Sequence, residues 1–163
     1  MSNFTRRDVC LSLPALSLFS ALSREVSAQA QVASTPVASS PAANAPPTDF
    51  SNCKAFPFSQ LPVRFSDNGN ATRDIAHGTV PTGEIVELHE STIGPGQMPH
   101  AAHHHPHEEF IFIREGTMDF MYGGESHILA PGSVGYTAPN QMHGMKNVGS
   151  TQANYFIFSL SKK

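Results

Sequence analysis

The sequence predicts an all-β fold, a sandwich or barrel, on three observations. After residue 50 no stretch repeats its apolar residues at helical spacing. Short apolar or alternating runs recur instead, about ten of them, separated by Gly, Pro and Asn. No internal repeat is visible, so the runs build one barrel and not two.

In chain order the expected strands are 63–66, 72–78, 84–93, 98–105, 109–114, 117–122, 127–129, 133–137, 144–147 and 153–160. Turn chemistry delimits them. Gly-Pro-Gly at 94–96 ends the third run, and Pro106 breaks the fourth. Gly116 closes the fifth, and Tyr-Gly-Gly-Glu at 122–125 turns the chain after the sixth. Ala-Pro-Gly at 130–132 precedes the eighth, and Asn-Val-Gly-Ser at 147–150 precedes the last.

The chain has 163 residues, an ordinary length for one domain, and 39% hydrophobic residues, enough for a core when concentrated in this way. The net charge of -3 comes without a basic block, which argues against nucleic acid and against a polybasic membrane surface as partners.

Residues 1–30 are expected to stand outside the fold. Arg6 and Arg7 precede an apolar stretch, 10–22, that is short for a membrane span and diluted by serines and Pro14. Ala28 and Ala30 then have the spacing a signal peptidase prefers. The pattern resembles a twin-arginine export signal cleaved after Ala30, which implies a periplasmic or secreted protein without membrane insertion after cleavage. Residues 31–48 carry no charge and no aromatic ring and are expected as a disordered Ala/Ser/Pro linker. The folded domain is expected over 49–163. Cys53 is the one cysteine left after cleavage, so no intrachain disulfide is expected, and the thiol is expected to be buried.

Five of the nine histidines fall between His100 and His107, and Glu108 and Glu109 follow. A solvated loop, a loosely metal-binding tract and an ordered metal site all have this composition, and spacing separates them. On a strand His103 and His105 share a face, roughly 7 Å apart along the backbone, and His104 points away. A turn at Pro106 would bring Glu109, at the head of the next strand, back to the same ion. His143 is the fourth candidate, four residues after Pro139.

Taken together these segments resemble the cupin superfamily. Its first motif, G-x5-H-x-H-x3,4-E-x6-G, matches from His103 through His105 and Glu109 to Gly116, with Gly96 one place early. Its second, G-x5-P-x-G-x2-H-x3-N, matches at Gly132, His143 and Asn147. Pro139 comes one place late, and Asn140 replaces a glycine in a left-handed turn, which Asn tolerates best. The resemblance spans about residues 80–160 and implies a jelly-roll barrel, a double-stranded β-helix, with His103, His105, Glu109 and His143 as metal ligands. Asn147 is implied to hold a turn. His100, His104 and His107 read as surface or supporting residues, and His77, His89 and His127 as plain strand or loop residues.

Three neutral imidazoles and one carboxylate suit a single divalent ion with open positions, Mn or Fe before Ni, Co or Zn. Mn and Fe come first because a twin-arginine signal implies folding, and metal choice, before export. Strand parity places Ile111 and Ile113 inward beside Glu109, Met145 beside His143, and Met118, Phe120 and Tyr122 on one face of the next strand. They are candidates for an apolar substrate pocket or for ordinary core. Arg114 and Lys146 point outward, so no inward cation is expected for a phosphate or dicarboxylate. That weighs against sugar-phosphate isomerisation and oxalate-type decarboxylation. The expected function is a metal-dependent oxidoreductase of dioxygenase type on a small neutral or aromatic substrate, with Glu109 as the catalytic carboxylate. The alternatives are a non-catalytic cupin that binds a small molecule or metal, and a metal-dependent isomerase or lyase. Phe110 and Phe112 make the opposite face of the Glu109 strand apolar too, which predicts a homodimer.

Overall fold

A computed structural model describes residues 47–163. The export signal and nearly all of the linker expected from the sequence lie outside the described residues. Among the described residues nine strands form: β1 Val63–Phe65, β2 Ala71–Thr79, β3 Ile85–Ile93, β4 Glu108–Glu115, β5 Met118–Tyr122, β6 Glu125–Leu129, β7 Val134–Thr137, β8 His143–Asn147 and β9 Ala153–Ser161. The one helical element among the described residues is a short 3-10 turn, Phe58–Gln60. No helix among them is long and apolar enough to cross a membrane.

The strands make two antiparallel sheets, one ordered β1-β2-β3-β9-β4-β7 and one ordered β6-β5-β8. This is the all-β jelly roll that the sequence predicts. Alternation fixes which side of each strand enters the interior. On β4, Glu109, Ile111 and Ile113 are buried while Glu108, Phe110 and Phe112 are not. On β8, His143, Met145 and Asn147 are buried and Lys146 is exposed. The interior is filled by Ile93, Ile111, Ile113, Met118, Phe120, Met145, Ala153 and Tyr155, packed into one cluster.

Two expectations are corrected. Residues 98–105 are not a strand. Their ladder bonding is one bridge, in which His103 and His143 exchange two backbone hydrogen bonds of 2.9 Å. The reason is topological: β9 lies between β3 and β4, so the chain leaving β3 cannot return as a neighbouring hairpin. β3 and β4 both run antiparallel to β9 and so parallel to each other. The crossing has to travel the length of the sheet from the Ile93 end to the Glu108 end, bonded on the way to both ends of β8, at Asn147 and at His143. Pro99 and Pro106, which lack an N–H, bound the crossing. Cys53 is exposed, not buried, because residues 51–60 pair with no strand and are exposed throughout. Just before the expected domain, the Thr48 N–H donates to the His77 carbonyl of β2 at 2.7 Å.

Candidate metal centre

Three chain segments from both sheets converge at one end of the barrel. Glu109 enters from β4 on the inner face of the larger sheet, and His143 is the first residue of β8 in the smaller one. The crossing segment is tied to the turn before β8 twice, through the His103–His143 bridge and through a 2.7 Å hydrogen bond from the Asn140 N–H to the His105 carbonyl. Asn140 takes φ 59°, the left-handed conformation that the sequence assigns to it. These backbone ties bring the rings together, with centroids 5.3 Å apart for His103 and His105, 4.6 Å for His103 and His143, and 4.8 Å for His105 and His143. Each of the three offers a ring nitrogen within 4.8 Å of the others. Oε2 of Glu109 lies 3.3 Å from His105 Nε2 and 3.7 Å from His143 Nε2.

The hydrogen bonds fix the tautomers. His105 Nδ1 sits 2.9 Å from the His107 carbonyl, and His143 Nδ1 sits 2.9 Å from the Gln141 carbonyl. A carbonyl only accepts, so Nδ1 carries a proton in both rings and each ring turns its Nε2 toward Glu109. Two lone pairs facing a carboxylate oxygen repel unless a proton or a cation stands between them. His105 Nε2 and His103 Nδ1 are buried without a hydrogen-bond partner, so the donor set is one that a divalent ion fits. Burial, reinforced by the neighbouring rings of His100, His143 and His105, lowers the His103 pKa to about 4, which keeps it neutral as a ligand must be. Burial raises the Glu109 pKa, but contacts from His105, His107 and His143 outweigh it and hold the group far below the usual carboxylate range.

All four ligand candidates, His103, His105, Glu109 and His143, are thus in one place. The pocket candidates Ile111, Ile113, Met118, Phe120 and Met145 also come together, packed against one another in the core cluster. Strand register shows what sequence reading missed at the level of Glu109. Thr137 of β7 and Ser159 of β9 are its cross-strand partners, and Glu87 of β3 is paired with Ser159. Thr137 is 2% exposed, and its hydroxyl is buried without a partner. His89, read from sequence as a plain residue, is buried on the inner face of β3, 3.4 Å from Glu87. Parity alone could have marked Thr137 as inward, but nothing in the sequence says that β7 lies beside β4. His107 stacks face to face on His105, centroids 3.7 Å apart and planes within 2°, and its Nε2 lies 3.3 Å from Glu109 Oε1. His100 is exposed and meets His103 edge-on.

Comparisons with known proteins agree with this architecture. Residues 89–159 match the family model described as Cupin domain. KdgF from Halomonas sp. aligns with a TM-score of 0.57 and 17% identity, over 69% of this chain and 97% of that one. A sugar phosphate isomerase from a cupin superfamily, from Silicibacter pomeroyi, aligns with a TM-score of 0.56 and 13% identity, over 67% and 76%. A predicted oxalate decarboxylase from Thermotoga maritima aligns with a TM-score of 0.54 and 18% identity, over 66% and 98%. At these identities the likeness is one of fold. No curated protein matches the chain.

Proposed function

From a cupin-domain match over residues 89–159 and a cupin fold around a His/Glu cluster, we propose a metal-dependent oxidoreductase of dioxygenase type acting on a small neutral substrate. The observation that carries the reading is the composition of the interior. It joins three imidazoles and a carboxylate, and no lysine or arginine is buried among the described residues. His103, His105, Glu109 and His143 would hold one divalent ion, Mn or Fe before Ni, Co or Zn. When bound, the ion supplies Lewis acidity and open positions for substrate. The chain's own contribution is then specific. Imidazole tautomers fixed by the His107 and Gln141 carbonyls orient the ring nitrogens. Glu109, buried and held ionised, would add the negative charge that a divalent ion needs beside neutral imidazoles. The hydrophobic cluster behind them excludes water.

The lack of a buried lysine or arginine among the described residues favours this reading over chemistry on a phosphate or a dicarboxylate, whose charge would be left to the metal ion alone. The same proposal includes export, which rests on Arg6, Arg7 and the Ala28/Ala30 spacing in the sequence. It also includes a homodimer built on the outer face of the larger sheet. The test is oxygen consumption by metal-loaded protein over a panel of phenolic and other neutral substrates, beside His105→Ala and His143→Ala. The expected result is turnover in the wild type, and metal stoichiometry falling from near one to near zero in both variants. Full metal loading with no oxygen uptake on any substrate would favour a binding protein, and isomerised or cleaved product without oxygen uptake would favour the isomerase or lyase reading.

A further inference from the structure

We infer that His107 is a positioning residue that holds Glu109 so that only Oε2 is offered to the metal. This deepens the metal centre proposed above and rests on it. The two oxygens of Glu109 have different surroundings. Oε2 faces His105 Nε2 at 3.3 Å and His143 Nε2 at 3.7 Å, inside the ligand set. Oε1 faces His107 Nε2 at 3.3 Å, outside it. The rings of His105 and His107 are parallel, 3.7 Å apart, so they form a two-pronged fork with one prong on each oxygen.

The prongs differ in what they can do. His105 has its proton on Nδ1, bonded to the His107 carbonyl, and presents a lone pair at Nε2. No hydrogen bond fixes Nδ1 of His107, so its proton is free to reside on Nε2 and donate to Oε1. One oxygen is therefore bound by an N–H while the other is left to the cation. A carboxylate tethered in this way contributes one bond, and the position its second oxygen would fill stays open for substrate. His105, His107 and Glu109 do offer three ligand atoms within 4.8 Å of one another. However, stacked rings set their Nε2 atoms side by side on different oxygens and do not converge on one point. The His107 carbonyl survives any substitution, so a side-chain variant leaves the orientation of His105 in place.

The test uses the full chain loaded with Co(II), comparing His107→Ala, His107→Gln and His107→Phe. Gln keeps an N–H donor without the ring, and Phe keeps a stacking ring without the donor. Affinity is read by chelator competition, and the coordination sphere by visible absorption and X-ray absorption. The expected result is about tenfold weaker binding and an altered spectrum in Ala and Phe, with Gln within about threefold of wild type and spectrally like it. Wild-type behaviour of all three variants overturns the inference. So does a Phe variant that rescues while Gln does not, which would make the stack the only role, or loss of an imidazole scatterer in Ala that Gln fails to mend, which would make His107 a ligand. His105→Ala runs alongside: if it keeps full Co(II) binding, the metal centre fails and this inference with it.

Discussion

Asn147 is fully buried and spends its side chain on three backbone groups. Its Nδ2 donates to the carbonyls of Ile93 at 2.9 Å and Thr151 at 2.8 Å, and its Oδ1 accepts from the Gly149 N–H at 3.0 Å. Asn147→Ala leaves three groups without partners and is expected to cost about 3 kcal/mol, lowering Tm by on the order of 10 °C, measured by calorimetry. His103 gives a pH prediction. Its pKa falls from 6.5 to about 4 on folding, so between those values the unfolded chain binds the proton more readily. Stability of the metal-free protein therefore declines as pH drops through that window. Thermal melts from pH 7 to 4.5 are expected to show it, with a shallower decline in His103→Asn. At this scale the sequence was informative because strand parity pairs residues 103 and 105 and the resemblance to the two cupin motifs ties them to 109 and 143. It said little about His107 or Thr137, whose roles depend on a rotamer in one case and a neighbouring strand in the other.

Strands announce themselves by alternation, and the expected runs of β2 to β9 fall within a few residues of the observed ones. The segment 98–105 did not, because a strand needs a partner and the partner is settled by the order of the sheet. The parity argument still selected His103 and His105, although the rings meet for another reason: backbone bonds to His143 and Asn140 pin the crossing. Gly116, between β4 and β5, is the clearest element-scale constraint. It adopts φ 83°, and a Cβ there would lie 2.5 Å from the Cβ of Ala153 and 2.6 Å from its Cα. Gly116→Ala combines left-handed strain with a backbone clash against the start of β9 and is expected to cost about 3 kcal/mol or more. Urea unfolding midpoints beside Gly123→Ala, where the added Cβ meets nothing within 4 Å, separate the clash from the strain.

For the molecule as a whole, the outer face of the larger sheet exposes several large apolar side chains side by side. Phe112 is 42% exposed, Val134 52% and Tyr136 47%. Register places Phe110 beside Tyr136 and Phe158, and Phe112 beside Val134 and Phe156, so these residues form one patch spanning β7, β4 and β9. A twofold contact needs just such a surface, able to face its own copy. Sedimentation at micromolar concentration is expected to show a dimer, and Phe112→Glu to weaken it by about a hundredfold. A monomeric wild type would remove the dimer from the proposal without touching the metal centre. The sequence pointed to this face through Phe110 and Phe112 alone, since it could not say that β7 and β9 add their aromatic rings to the same patch.

The candidate ligands come from both sheets and from the crossing that joins them, so a bound ion would act as a rivet through the sandwich. Prying the sheets apart would first require breaking the coordination, and the metal should therefore slow unfolding far more than it speeds folding.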